Sequence, residues 1–218
     1  MAKLKIGDTP RRVEDARFVT GSGCYVDDLQ PENLAHAAVV RASHAHADLQ
    51  GMDTAAAKDM PGVIAVLTGS DLEAAGIGPM QPYEQVNVYS GDPFRFPTQH
   101  PLARDRVRYA GEPVALVIAE SRSEALDAAE AVSVDYAPLP AVVTIQDALD
   151  SGVPERVCLE WSVGDRRAVN VACETAAHVT RLALHNHRIV TNSMEPRGAI
   201  GTYDPEDGRY TLHVSAQS

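Results

Sequence analysis

The sequence predicts an α+β chain in two parts, and three observations carry that prediction. Val114-Ala115-Leu116-Val117-Ile118-Ala119 reads as a buried strand, followed by a capped helix and a second strand at Val132–Tyr136. From Cys173 onward the pattern changes to longer alternating segments at Glu174–Leu184, Arg188–Asn192, Ala199–Tyr203 and Tyr210–Ser215. A proline-punctuated stretch at Pro138-Leu139-Pro140 opens the connection between them and places a boundary near residues 140–165.

Taken in order, residues 1–30 read as extended and irregular, with Gly21-Ser22-Gly23 as a hinge. Leu34–Arg41 is a strand candidate, and a short helix from Asp53 to Asp59 is stopped by Pro61-Gly62. Val63–Leu67 is a buried strand, after which Thr68–Leu72 begins another short helix with Ser70 as its N-cap. Residues 76–104 are rich in Pro and Gly without periodicity, and a loop of that length is more often functional than idle. Ser121-Arg122-Ser123-Glu124 is a capping box, and the helix it opens carries an apolar stripe of Ala125, Ala129 and Val132 with Leu126 alongside. A short helix is expected near Ile145–Leu149. Asp204–Gly208 forms the turn of a final hairpin, whose Arg209–Ser215 strand alternates as if half-buried. The edge of that strand needs a partner, so further protein is expected to follow or dock there.

A net charge of -11 argues against a nucleic-acid or anionic-membrane partner, because a phosphate backbone selects a basic face. Cys24, Cys158 and Cys173 are widely spaced with no C-x-x-C pair, so neither a zinc site nor an iron–sulfur cluster is written here, and buried reduced thiols are expected. The N-terminus lacks an apolar signal core, and no apolar run approaches the roughly 18 residues of a membrane span. A cytoplasmic location without a membrane span follows as the expectation.

Few residues announce chemistry. His44-Ala45-His46 and His185-Asn186-His187 each put two imidazoles on one face of an extended segment, yet two ligands without a nearby carboxylate or thiol make a poor metal site. No G-x-G-x-x-G follows a strand, no phosphate-binding G-x-x-x-x-G-K-S/T occurs, and no Ser or Cys sits in a nucleophile elbow. Glu195-Pro196-Arg197 leaves two readings open, a turn whose charges pair at the surface or a rigid turn that positions a substrate or cofactor. Gln217, taken alone, is an amide at a strand end.

An ordered series of segments nevertheless resembles the large subunit of the molybdenum hydroxylases, the family of xanthine dehydrogenase, aldehyde oxidase and carbon monoxide dehydrogenase. It begins with Gly7-Asp8, Arg11–Asp15, Val19–Gly21 and Tyr25–Leu29, and continues with Val40–Ala47, Pro61–Val63 and Leu67–Leu72. His100–Ala103, Val107–Ala115 and Val134–Pro140 follow, then Trp161–Asp165 and Asn192–Ala199. Ser215-Ala216-Gln217 resembles the family's S-T-Q segment, with Ala216 in place of the usual threonine.

The resemblance implies an α/β hammerhead domain over 31–140 after an extended segment 1–30, a linker 141–165, and over 166–218 the incomplete, β-rich start of a molybdopterin-binding domain. It implies oxidative hydroxylation of an aldehyde, N-heterocycle or similar small substrate, with water as the oxygen donor and a glutamate general base in a later segment. The cofactor implied is molybdenum–molybdopterin in its cytosine dinucleotide form, with Gln217 as the residue of this chain that binds it. FAD and 2Fe–2S clusters are expected on partner chains, an FAD-binding subunit and an iron–sulfur subunit, beside the remainder of the molybdopterin-binding subunit. The family's G-G-G-F-G-x-K stretch, its base-bearing segment and its cluster cysteines do not occur in this sequence. No catalytic residue or protein metal ligand is therefore expected here, and the isolated chain should be inactive and weakly ordered beyond residue 170. The alternative is a non-catalytic hammerhead scaffold; a hydrolase lacks a nucleophile.

Overall fold

A computed structural model describes residues 7, 9, 12–80, 98–150, 163–187 and 189–216. In chain order its elements are α1 (Asp15–Val19), β1 (His36–Arg41), β2 (Ala47–Asp53), α2 (Ala55–Lys58), β3 (Val63–Thr68) and α3 (Gly69–Ala74). They continue with β4 (Arg106–Val107), β5 (Pro113–Ala119), α4 (Arg122–Glu130), β6 (Ser133–Pro138), α5 (Ile145–Asp150), α6 (Arg166–Thr175), β7 (Ala199–Asp204) and β8 (Arg209–Val214). By internal contacts the chain divides into two units, Met1–Leu34 with Arg181–Ser218 and Ala35–Thr180.

The 35–180 unit is a mixed α/β body on two three-stranded antiparallel sheets, one ordered β1-β5-β3 and the other β4-β2-β6. Strand β5 is central because its apolar run buries both faces. Val114 joins Ala42, Ala47, Ala103 and Val107, while Val117 joins Ala57, Val66 and Ala128. Each such valine contributes about 1.5–3 kcal/mol. Ala38, Ala119 and Ala125 form a third cluster, and these small side chains let helix α4 lie close on the sheet.

Helix α4 starts where the sequence places it, with Ser121 Oγ accepting the Glu124 N–H at 3.3 Å. Only half of the expected box forms, because the Glu124 carboxylate takes the Ser121 hydroxyl at 2.7 Å. That carboxylate lies over Gly62, which has a φ of +74° and where a Cβ would have to displace the end of the Glu124 side chain. The buried stripe is Ala125 and Ala128 rather than one that includes Leu126, which is exposed.

Several expectations are corrected. Strand β2 goes unseen in the sequence because Gly51 cuts short the alternation of Ala47-Asp48-Leu49-Gln50, where the register also shifts; it is extended because it pairs with both β4 and β6. The helix expected from Asp53 begins at Ala55, whose N–H bonds the Asp53 carboxylate at 2.9 Å. The N-cap of α3 is Thr68, not Ser70: its hydroxyl accepts the Asp71 N–H at 3.4 Å, and the Asp71 carboxylate accepts the Thr68 N–H at 2.8 Å. The Thr68 hydroxyl also donates to that carboxylate at 2.6 Å, and this bond together with the one from the Thr68 backbone holds the Asp71 carboxyl below the usual carboxylate range.

The largest correction lies after residue 165. Arg166–Thr175 is a helix, capped by the Asp165 carboxylate on Ala168 N–H at 3.0 Å. No strand forms across the described residues of 174–184 and 188–192, and Glu174 and Thr175 belong to the helix instead. Arg188 lies outside the described residues. Cys24 and Cys173 are free and exposed rather than buried, the first on an irregular segment and the second on α6, a helix with no buried residue; Cys158 is outside the described residues. No described helix is long and apolar enough to cross a membrane.

The other unit contains the β7–β8 hairpin, paired from Ala199↔Val214 to Asp204↔Arg209. Its turn is tied by Asp204 on Glu206 N–H and by Asp207 on Arg209 N–H, each 2.9 Å. Its N-terminal residues are not simply extended, since Asp15–Val19 is helical and Val26–Asp28 makes a 3-10 turn. An acidic start and a basic end, Asp15 and Arg17, complement the helix dipole of α1.

Candidate functional site

Within the hairpin unit, one turn gathers what the sequence scatters. Met194–Gly198 leads into β7, and Ser215 leaves β8 opposite it. The Ser215 N–H donates to the Gly198 carbonyl at 3.0 Å. Its hydroxyl accepts the Gly198 N–H at 2.9 Å and donates to the Pro196 carbonyl at 3.0 Å. One serine thus holds both sides of a rigid proline turn.

The N-terminal segment clamps the turn from another direction. The Val26 N–H, free at the start of its 3-10 turn, donates to Glu195 Oε1 at 3.2 Å. Gly198 sits against the Val26 side chain, where a Cβ would come within 3.2 Å of Cγ1. Glu195 therefore serves a backbone donor 169 residues away. The ion pairs among the described residues do not include one with Arg197. That corrects the surface-pairing reading of Glu195-Pro196-Arg197. Sequence reasoning missed Ser215 and Val26 as partners of this turn, and no local pattern points to them.

Gln217 lies outside the described residues, two positions beyond the anchored Ser215.

The histidine pairs do not build metal centres. In the 35–180 unit His44 lies on the Tyr136 ring with centroids 4.7 Å apart, whereas His46 Nδ1 donates to the Pro140 carbonyl at 2.8 Å. His185 and His187 stack at 4.3 Å. Parallel rings point their nitrogen lone pairs side by side, not toward one ion. The described residues contain no group of three or more His, Cys, Asp or Glu placed to hold a metal. The buried acid Glu112 is accounted for by structure, since its carboxylate accepts the Arg108 N–H at 2.5 Å and closes the turn before β5. Asp48 pairs with Arg106 at 2.5 Å across β2 and β4, and that hydrogen bond lowers the aspartate and raises the guanidinium.

Comparison with known proteins gives these features a family. A family model described as "Aldehyde oxidase and xanthine dehydrogenase, a/b hammerhead domain" matches residues 20–140. Another, "Molybdopterin cofactor-binding domain", matches residues 149–218. The nicotine 6-hydroxylase large subunit of Paenarthrobacter nicotinovorans is 37% identical over 97% of this chain and 26% of its own length. The carbon monoxide dehydrogenase large chain of Afipia carboxidovorans is 31% identical over 98% of this chain and 27% of its own. The solved structure of quinoline 2-oxidoreductase from Pseudomonas putida 86 is similar with a TM-score of 0.80 and 32% identity, over 97% of this chain and 27% of that one. This chain spans about a quarter of the length of the curated relatives it matches. With a family model over more than half its residues and both domains in the same order, the chain belongs to the aldehyde oxidase and xanthine dehydrogenase family of molybdopterin proteins.

Proposed function

We propose that this chain supplies the hammerhead domain and the opening of the molybdopterin-binding region in a molybdenum hydroxylase large subunit. The reaction is oxidative hydroxylation of an aldehyde, N-heterocycle or similar small substrate, with water as oxygen donor. The observation that carries the proposal is the correspondence of nearly the whole chain to proteins named as large subunits and large chains. The proposed division is 1–30 as an N-terminal segment, 31–140 as hammerhead, 141–165 as linker and 166–218 as molybdopterin-binding.

The residues present fit one edge of a molybdopterin site. What the chain offers is a strand end held by hydroxyl and backbone groups, with a carboxamide, Gln217, two residues further on. When bound, the cofactor supplies a metal that activates water and an acceptor for the electron pair taken from substrate. Gln217 is proposed to hydrogen-bond the cofactor. Ala216, in place of the family's threonine, leaves that neighbour without a hydroxyl.

The proposed partners are the remainder of the molybdopterin region, an FAD-binding subunit and an iron–sulfur subunit carrying 2Fe–2S clusters, with the cofactor in its cytosine dinucleotide form. Support comes from relatives named as members of assemblies, among them "6-hydroxypseudooxynicotine dehydrogenase complex subunit gamma". The hairpin supports it as well, because Tyr210, Leu212 and Val214 lie exposed on one face.

The test is purification of the tagged chain from its own host grown on molybdate, with molybdenum, flavin and iron assayed in the product. All three should co-elute with the chain and with two smaller subunits. A stable free chain or homo-oligomer without molybdenum, flavin or iron would overturn the proposal. It would favour a hammerhead scaffold, for which the self-contained core of 35–180 is the supporting feature.

A further inference from the structure

We infer that the N-terminal segment is a working part of the molybdopterin-binding half, fastened to it by Glu195, rather than a lead-in to the hammerhead. The inference rests on the reading proposed above of 181–218 as part of the molybdopterin region. The match to the hammerhead family begins at residue 20, yet the structure groups the chain up to Leu34 with Arg181–Ser218. The chain leaves this unit at Leu34 and re-enters it at Arg181, so in sequence the 35–180 body is an insertion between two pieces of one unit.

Local bonds shape both sides of the fastening. On one side the Asp28 carboxylate accepts the Tyr25 N–H at 2.8 Å, and the Leu29 N–H bonds the Val26 carbonyl at 3.1 Å, which closes the 3-10 turn. The first N–H of such a turn has no partner within it, and here that group is the Val26 N–H. On the other side Pro196 stiffens the turn, and the Ser193 hydroxyl donates to the Glu195 carbonyl at 2.8 Å. The Glu195 carboxylate that accepts the Val26 N–H at 3.2 Å is therefore aimed from a fixed backbone. The contact is half-buried, and the Val26 side chain closes over Gly198. Gly198 is in turn the residue that Ser215 holds through both its N–H and its carbonyl. One run of contacts thus joins residues 25–28, the turn at 193–198 and the open end of the hairpin. A two-stranded hairpin is marginal by itself, so these contacts supply part of what keeps it formed.

Two substitutions remove the same bond from opposite ends. Val26→Pro deletes the N–H and keeps the backbone path, because proline suits the first position of a helical turn and Tyr25 before it is already extended. Glu195→Ala deletes the acceptor, whereas Glu195→Gln keeps an oxygen in its place. The core clusters around β5 contain neither residue, so the 35–180 body should stay folded in all of these variants.

The experiment uses the cofactor-loaded assembly that contains the full chain. It reads amide hydrogen exchange by mass spectrometry, and the molybdenum retained through gel filtration. Val26→Pro and Glu195→Ala should each speed exchange about tenfold in 22–30, and likewise in 194–199 and 209–215, while 113–119 in β5 stays protected. The double variant should go no further than either single one, and Glu195→Gln should behave like the parent. Molybdenum retention should fall several-fold in Val26→Pro, Glu195→Ala and their double variant. Faster exchange confined to 22–30, effects that add in the double variant, or lost protection in 113–119 as well would each overturn the fastening. Molybdenum held as in the parent by variants that do open would overturn the segment's part in the cofactor half. A parent that carries no molybdenum overturns the underlying reading, and the inference with it, whatever the exchange shows.

Discussion

Strands β5 and β8 make a useful pair, because both belong to antiparallel ladders and both read as strands in the sequence, yet only one is buried. Strand β5 has a neighbour on each side, and Val114, Ala115, Val117 and Ala119 are fully enclosed. Among the described residues strand β8 has a single neighbour, and Tyr210 and Leu212 remain 79% and 65% exposed. The ladder alone is therefore not what separates a core from a flap. Each backbone hydrogen bond replaces one to water, and an isolated hairpin is marginal, so the difference in stability must come from side-chain burial.

A charge placed in each strand tests that difference most directly. Val117→Asp puts an unpaired carboxylate among Ala57, Val66 and Ala128, and should cost several kcal/mol, on the order of 4 or more, read as lost melting of the 35–180 unit. Leu212→Asp in this same chain should change stability by less than about 0.5 kcal/mol. Equal losses from the two substitutions would mean that the hairpin is buried in solution and would remove the contrast.

Backbone geometry gives the next largest effect. Gly62→Ala meets two obstacles, a φ of +74° and the Glu124 carboxylate where the new methyl would go. A loss of about 1–2 kcal/mol is expected in denaturant unfolding of the hammerhead unit. Loss of the α4 cap is smaller: Ser121→Ala should cost about 1 kcal/mol, with Ser121→Gly recovering most of it. A Ser121→Ala cost near zero would show that the Glu124 carboxylate, not the hydroxyl, anchors this helix start.

The same contrast explains what was legible in the sequence. Strand β5, helix α4 and strand β6 are readable because their signals are local: an apolar run, an S-x-x-E start and a return to β-branched residues. Strand β2 is not, because its extended state depends on partners at Arg106–Val107 and Ser133–Pro138 rather than on its own residues. The error at Glu174–Leu184 has the opposite origin. Alternation there suggests a strand, but Glu174 and Thr175 close a helix whose N-cap, Asp165, lies well upstream of the alternating stretch. At the candidate site, residue chemistry alone did not distinguish Glu195 from any surface acid, since its partner Val26 is 169 positions away. Gln217 came from the family resemblance and not from its own chemistry.

The smallest effect expected is also confined to the buried side of the contrast. Tyr136 lies against the cluster of Ala47, Val107 and Val114 with His44 over its ring. Burial raises its phenol above the ordinary value of 10.0, and a hydrogen bond with the Ser43 backbone pulls it only part of the way back. Because the folded state holds the proton more tightly than the unfolded chain, the stabilisation from this group is complete below the ordinary value. It is lost as pH rises through the raised one. Phenolate absorbance should therefore show Tyr136, identified by difference from Tyr136→Phe, titrating above free tyrosine. The unfolding curve of the parent should fall toward that of Tyr136→Phe only in the same alkaline window. Titration at or below the ordinary tyrosine value would place Tyr136 in water and take the core cluster around β5 with it.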